Sequence, residues 1–227
     1  MSQPKPVQCI GIILDGNRRW AKEKGLPTLE GHRRGFEALK SIAHAVRERG
    51  IPHLAVYAFS TENWNRPEEE IAGLMELIRE GALSNTSDLM KEGVRLRFVG
   101  DMTLLADDVR TALEKAETES SSNRGSTLWV CLSYGGRGEI IAAAEAASAH
   151  EGLLTEELIR QHMWTAEMPD PDIIIRTGGQ KRLSNFLLWQ SAYSELFFLD
   201  MLWPDFKEPD LEAVLIEYAG RKRNFGI

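Results

Sequence analysis

The sequence predicts a single α/β domain built on a mostly parallel central sheet of about six strands flanked by helices. Three observations carry that reading. Apolar runs of strand length alternate with amphipathic segments of helix length along all 227 residues. The first of these runs, Ile10 to Leu14, shows no polar alternation, as expected of a strand covered on both faces. No repeat, linker or low-complexity tract divides the chain, so residues 1–227 read as one domain.

The first strand lies within Cys9 to Trp20, C-I-G-I-I-L-D-G-N-R-R-W. It stops at Asp15, turns through Gly16 and Asn17, and enters a helix bearing Arg18, Arg19 and Trp20. In open α/β sheets ligands bind outside the carboxyl ends of strands, where this turn lies. Backbone N–H groups, two guanidiniums and one carboxylate are what a metal-chelated phosphate requires. Taken alone, D-G-N is equally a surface turn. Residues 31–50 read as a helix with Phe36, Leu39, Ile42, Ala43 and Val46 on one buried face and Gly50 as its stop. Residues 53–59 form the second strand and run into Ser60-Thr61-Glu62-Asn63-Trp64-Asn65-Arg66-Pro67. Proline and a run of glutamates then open a long helix over residues 67–91, with Ile71, Leu74, Met75, Ile78 and Leu89 inward.

Residues 94–100 alternate apolar and charged side chains, which predicts a strand near a sheet edge. A polar amphipathic helix follows over 103–119 and a buried strand over 127–133. The turn Tyr134-Gly135-Gly136-Arg137-Gly138 leads into an alanine-rich helix over 139–150, and 155–163 is a short helix. Residues 172–176 (D-I-I-I-R) are the next strand, ending in Thr177-Gly178-Gly179. Residues 183–193 read as an apolar helix, 195–199 as the last strand and 209–223 as the terminal helix.

Composition is that of an ordinary globular protein, with 43% hydrophobic and 27% charged residues. A net charge of −7 argues against nucleic acid as a partner. Basic residues are nevertheless bunched at Arg18–Arg19, Arg33–Arg34, Lys181–Arg182 and Arg221–Arg223, a pattern suited to a small, highly charged anion. Cys9 and Cys131 both sit in apolar strand-like runs, which predicts reduced thiols and a cytoplasmic setting. Residues 1–7 lack the apolar core of a signal peptide, and nothing approaches a transmembrane span.

Three strand ends carry unusual polar chemistry: Asp15 to Trp20, Ser60 to Arg66, and Arg176 to Ser184. Parallel strands place these ends on one edge, so the loops converge. A core loop would not gather so many cations, because unpaired buried charge is costly. Standard nucleotide motifs fail: there is no G-x-x-x-x-G-K-[ST], and Gly136-x-Gly138 lacks the third glycine of the dinucleotide fingerprint. Asp107-Asp108 is an exposed acidic pair on a polar helix, unlike the aspartate-rich metal motif of trans-prenyl diphosphate synthases.

Asp15 to Ala21, Phe59 to Pro67, Arg176-Thr177-Gly178-Gly179-x-x-Arg182-Leu183-Ser184-Asn185-Phe186 and Leu202-Trp203-Pro204-Asp205-Phe206 resemble the signature blocks of the cis-prenyltransferases, in matching order and spacing. The nearest kind is the bacterial undecaprenyl diphosphate synthase. The resemblance implies Mg²⁺-dependent condensation of isopentenyl diphosphate onto an allylic diphosphate such as farnesyl diphosphate, in a homodimer with a hydrophobic tunnel and peripheral membrane contact for product release. It implies that Asp15 holds the metal, with Glu195 as a second ligand. Gly16, Asn17, Arg18, Arg19 and His32 would cradle the allylic diphosphate, with Trp20 lining the site. Arg176, Arg182 and Ser184 would take the diphosphate of isopentenyl diphosphate, with Leu183 also among the substrate-binding residues. Ser60, Thr61, Glu62, Trp64 and Arg66 would line the substrate site. Asn63 occupies the position of the proton acceptor, although a carboxamide is a feeble base and a diphosphate oxygen or a water beside it is chemically easier.

With that resemblance, Ile71, Leu74, Met75, Ile78, Ala58 and the strand 128–132 become candidate tunnel walls; spacing alone makes them core. Ala58 favours a longer product, and Trp129 a shorter one. The chain departs from the family pattern at Thr28, where an arginine is common, at Gln180 and Lys181, where an acidic residue and its neighbour are usual, and at Asn224, where an arginine often reaches the partner subunit. A short-chain or head-to-middle synthase and a non-catalytic partner subunit are the alternatives. Retention of Asp15, Arg19, Arg176 and Arg182 weighs against the last.

Overall fold

The computed structural model describes residues 6–85, 89, 91–149 and 153–221. Six strands form one sheet in the order β3-β4-β2-β1-β5-β6, and every pairing is parallel. They are β1 (Cys9–Ile13), β2 (His53–Ser60), β3 (Val94–Val99), β4 (Ser126–Tyr134), β5 (Ile173–Arg176) and β6 (Glu195–Phe198). The helices among the described residues are α1 (Asn17–Glu23), α2 (Thr28–Glu48), α3 (Glu68–Glu80), α4 (Asp107–Ser120), α5 (Gly136–Ser148), α6 (Glu156–His162) and α7 (Glu208–Gly220). The α/β class, the parallel sheet and the edge position of β3 are as the sequence predicts.

Side chains alternate across each strand and divide the core in two. Ile10, Ile12, Val56, Leu96 and Leu128 pack into the larger cluster, which includes residues of α2, α3, α4 and α7. Cys9, Ile13, Ala55, Tyr57, Trp129, Cys131 and Ile174 face the other way, where Phe186 and Leu187 cover them. Trp129 is therefore turned away from the face that carries Ala58, Leu128 and Val130, which corrects its assignment as a limit on a tunnel. No helix among the described residues is long and apolar enough to cross a membrane.

Three elements differ from their predicted form. The long helix over 67–91 is not one continuous α-helix: α3 ends at Glu80 and a π-helical turn, Gly81–Asn85, follows, with Leu89 and Lys91 again helical. The polar helix starts only at Asp107, because Met102–Leu104 forms a separate 3-10 turn. Residues 183–193 are not a helix: Ser184, Asn185 and Leu187 have φ values of 49°, 69° and 42°. Left-handed backbone costs about 1–2 kcal/mol for each such residue. Burial of Phe186 and Leu187 offsets it, as does the bond from Gly136 N–H to the Asn185 carbonyl (2.7 Å). The apolar pattern of this segment marks burial, not helical periodicity.

Glu139, on the first turn of α5, holds the far end of that segment. Its carboxylate is fully buried and accepts from Thr165 N–H (3.0 Å), Thr165 Oγ1 (2.7 Å), Gln190 Nε2 (2.9 Å) and the Tyr134 hydroxyl. Satisfaction on both oxygens is what makes a buried carboxylate tolerable.

Candidate active site

The sheet order makes β1 the switch point: the chain first builds outward on the β2 side and later returns to lay β5 on the other side. The loops after β1, β2 and β5 therefore meet, as predicted. Asp15 follows β1 and binds two arginines, Arg19 Nη2 on Oδ1 at 3.0 Å and Arg176 Nη2 on Oδ2 at 2.9 Å. Its carbonyl accepts from Thr177 Oγ1 (2.7 Å) and Trp203 N–H (3.1 Å), which locks the turn to the β5 loop and the C-terminal region. Gly16 has φ 126°, and a Cβ there would stand 2.9 Å from Leu202 Cα, so no other residue fits.

Arg176 is 5% exposed and ends β5. Its Nη1 donates to both the Arg182 carbonyl and Ser184 Oγ (2.7 Å), while Nη2 holds Asp15. One buried guanidinium thus shapes the loop that follows it. Arg19 Nη1 donates to the Gly178 carbonyl at 2.8 Å. Gly178 has φ 84°, and a Cβ on it would come within 2.3 Å of Arg19 Nη2. Gln180 Oε1 accepts from Arg182 Nη1 at 2.7 Å, so the departure at that position steadies a site arginine.

A second cluster surrounds Glu70. Its Oε1 takes Arg66 Nη1 at 3.2 Å, His32 Nε2 at 3.3 Å and Arg18 Nε at 3.7 Å. Burial pushes the His32 imidazole below its ordinary value against the pull of Glu70, so it is neutral at pH 7. Burial also lowers Arg66, which Glu70 counters and the Arg18 guanidinium reinforces. Around the β2 exit, Ser60 N–H donates to Asn63 Oδ1 (3.1 Å) and caps the 3-10 turn Thr61–Asn65.

A polar cavity of about 830 Å³ lies among these groups. Asp15, Gly16, Asn17, Arg18, Arg19, His32, Ser60, Glu62, Asn63, Arg66, Arg176, Arg182 and Ser184 all border it. Six arginines against two carboxylates make the wall strongly positive in a chain of net charge −7. A narrower apolar cavity adjoins it, bordered by Ala58, Leu74, Ile78, Leu128 and Val130. Leu14, Asn17, His32 and Ala58 border both. Such a pair of cavities fits a molecule with a polyanionic head and an apolar tail.

Five predicted residues are not on the polar wall. Trp20 turns outward, its Nε1 donating to Asp205 Oδ1 at 2.9 Å. Trp64 packs edge-on to Phe59 and donates to Ser133 Oγ at 3.0 Å, supporting the β2 exit from beneath. Leu183 packs against the second core cluster, and Thr61 belongs to the capped turn. Glu195 is paired with Ile173, level with the entry of β5, about 10 Å back along the strand from the Ile13 level. Within one chain it does not reach Asp15; its Oε2 accepts from Arg221 Nη1 at 2.7 Å. Arg223 and Asn224 lie outside the described residues.

Sequence reasoning misses Glu70, Arg137 and Asn185. The first was within its reach, because Arg66 and Glu70 are only four residues apart across the start of α3. Asn185 carries no signal once its segment reads as helical. Among the described residues no three His, Cys, Asp or Glu side chains gather into a preformed metal cluster. Asp15 offers one carboxylate, its oxygens aimed by Arg19 and Arg176, and one carboxylate together with substrate phosphates is a usual donor set for Mg²⁺.

Residues 13–226 match the model of the family described as "Putative undecaprenyl diphosphate synthase". The isoprenyl transferase of Porphyromonas gingivalis is 46% identical over 224 residues, covering 96% of this chain and 88% of the relative. That of Agrobacterium fabrum is 45% identical, covering 96% and 91%. Among solved structures, lavandulyl diphosphate synthase from Lavandula x intermedia, in complex with dimethylallyl diphosphate, superposes with a TM-score of 0.94 at 34% identity over 97% of this chain and 98% of that one. A "probable undecaprenyl diphosphate synthase" from Campylobacter jejuni gives 0.85 at 31%, over 98% and 100%. An arginine-walled cavity at the switch point of a parallel sheet, bordered in part by the same residues as an apolar one, thus occurs in a chain similar throughout to enzymes named for prenyl transfer, and the chain belongs to the undecaprenyl diphosphate synthase family of prenyltransferases.

Proposed function

We propose that this enzyme condenses isopentenyl diphosphate onto an allylic diphosphate, farnesyl diphosphate being the expected primer, to build a cis-polyprenyl diphosphate such as undecaprenyl diphosphate. The observation that carries the reading is the junction of the arginine-lined cavity with the apolar one at Leu14, Asn17, His32 and Ala58. Gly16, Asn17, Arg18, Arg19 and His32 take the allylic diphosphate; Arg176, Arg182 and Ser184 take that of isopentenyl diphosphate. The allylic C–O bond breaks with its electron pair going to the leaving diphosphate, the isopentenyl double bond attacks the allylic carbon, and a proton is lost. Cations already in place meet the charge that builds on the leaving group. Asp15 would hold Mg²⁺ together with diphosphate oxygens, and the ion would supply further positive charge there. Asn63 Oδ1 is engaged by Ser60 N–H, which suits a residue that orients the proton acceptor rather than one that takes the proton. The apolar cavity takes the growing chain.

Purified protein incubated with Mg²⁺, farnesyl diphosphate and labelled isopentenyl diphosphate is expected to give polyprenyl products, sized by chromatography. No incorporation with geranyl, farnesyl or geranylgeranyl primers would sink the reading. The high superposition on lavandulyl diphosphate synthase favours a second one, head-to-middle coupling. Product formed from dimethylallyl diphosphate without isopentenyl diphosphate would identify it.

A homodimer is part of the proposal. Among the described residues β6 is an edge of the sheet, and Tyr193, Leu196 and Ile216 are exposed large apolar residues. Glu195 and Arg221 lie at that same edge, so any contribution of Glu195 to an Asp15-bound metal requires a second copy.

Glu70 does not border the polar cavity; it stands behind Arg18, His32 and Arg66 and sets their direction. Glu70→Ala is therefore expected to raise KM for the allylic diphosphate by about tenfold or more, the order of effect from removing one partner of a buried charged pair. Glu70→Gln, which keeps an acceptor, should lose less. Steady-state kinetics with each substrate varied in turn checks both; an unchanged allylic KM removes Glu70 from the site.

A further inference from the structure

Asn185 stands where three strand-end loops meet. It follows β5, yet its Oδ1 accepts the Arg137 N–H at 2.9 Å and its carbonyl accepts the Gly136 N–H at 2.7 Å, both from the exit of β4. Its Nδ2 donates to Glu62 Oε1 at 3.0 Å, from the exit of β2. The backbone carries φ 69°, a conformation asparagine adopts more readily than most side chains. Asn185 borders the polar cavity beside Ser184 and Arg182, as does Glu62.

Glu62 is a carboxylate in a wall built for anions. Burial works to raise its pKa, but hydrogen bonds from its backbone, Asn185, Ser60 and Thr61 outweigh that and hold it below the usual range. It is therefore charged at neutral pH, and left unpartnered it would repel an incoming diphosphate. An amide donor on its Oε1 leaves the carboxylate charged but partners that oxygen and fixes the direction of the side chain. The same side chain must accept a backbone N–H on its other end, and a carboxamide offers a donor and an acceptor on separate atoms of one short stem.

We propose that Asn185 is a positioning residue for isopentenyl diphosphate: it engages the Glu62 carboxylate and, through Gly136 and Arg137, sets the loop that presents Arg182 and Ser184. The proposal rests on the reading of that loop as the isopentenyl diphosphate grip. Its mechanism is a matter of polarity, so it makes a demand that a packing role would not. Asn185→Asp keeps the acceptor for Arg137 and nearly the same shape, but sets carboxylate against carboxylate at Glu62. Glu62→Gln in that background puts a donor back, with its direction reversed.

Calorimetric titration with isopentenyl diphosphate in Mg²⁺ at pH 7.5, alongside thermal unfolding, tests this. Asn185→Asp is expected to weaken binding by about tenfold, the order of one lost charge-assisted hydrogen bond. The double variant Glu62→Gln/Asn185→Asp is expected to return to within about threefold of Glu62→Gln alone, the signature of direct coupling in a double-mutant cycle. Binding unchanged in Asn185→Asp, or a double variant as weak as Asn185→Asp, overturns the proposal. If Asn185→Asp does not fold, the comparison of the double variant with Glu62→Gln decides the question in the same way. Wild-type protein that binds no isopentenyl diphosphate overturns the functional reading along with it, whereas normal wild-type binding with insensitive variants overturns the coupling alone.

Discussion

Asp15→Asn is expected to lower the condensation rate by about 10³-fold at saturating substrates and Mg²⁺, the scale seen when one preorganised charge partner of a transition state is removed. Asparagine retains the shape and one acceptor but no charge. Two effects add. A ligand for the diphosphate-borne metal is lost, and Arg19 and Arg176, now held by Oδ1 and Oδ2, lose the group that aims them. Asp15→Ala should lose as much activity and also stability, because Arg176 is 5% exposed and would keep a buried charge with no carboxylate. Breaking such a pair costs on the order of 3 kcal/mol. Turnover and thermal midpoints of both variants separate charge from structure. An active Asp15→Asn enzyme would end the role assigned to Asp15.

Arg176→Lys is expected to raise KM for isopentenyl diphosphate by about 10²-fold, which corresponds to about 3 kcal/mol. The guanidinium reaches Asp15, the Arg182 carbonyl and Ser184 Oγ at once, in directions set by its planar fork. An ammonium on a flexible stem cannot span those three. The loop carrying Arg182 and Ser184 would lose its anchor, while the Glu70 cluster would stay in place; KM for the allylic diphosphate should therefore move far less. Kinetics with each substrate varied separately checks the asymmetry. Equal rises in both KM values would mean that Arg176 supports the whole site rather than one side of it.

Most of the site is legible along the chain because its chemistry is local. Asp15 and Arg19 are four residues apart across a strand-to-helix turn, and the strand ends of β1, β2 and β5 announce themselves by apolar runs that stop at polar residues. Parallel pairing then brings those ends to one edge. The errors arise where burial and periodicity part company. Residues 183–193 look like a helix because Phe186 and Leu187 are apolar, but Ser184, Asn185 and Leu187 are left-handed, and Phe186 and Leu187 pack onto the sheet. Trp129 looks available to a tunnel until the alternation along β4 assigns it to the other face. Glu195 carries the right residue type, and only the β5–β6 register shows that it starts its strand at the end away from Asp15.

Residues close together along the chain are enough to specify the α/β class, the single parallel sheet with β3 at its edge, the loops that carry the charge and the family signature. Other features emerge only when the chain is folded: the contact of Glu70 with His32, the turn of Trp20 out of the cavity to Asp205, and the link that Asn185 makes between Glu62 and the β5 loop. These contacts join residues 38 to 185 positions apart, and their direction depends on register and left-handed backbone. A hydrogen bond is decided within a few tenths of an ångström and by angle, and no pattern of residue types along one chain encodes that.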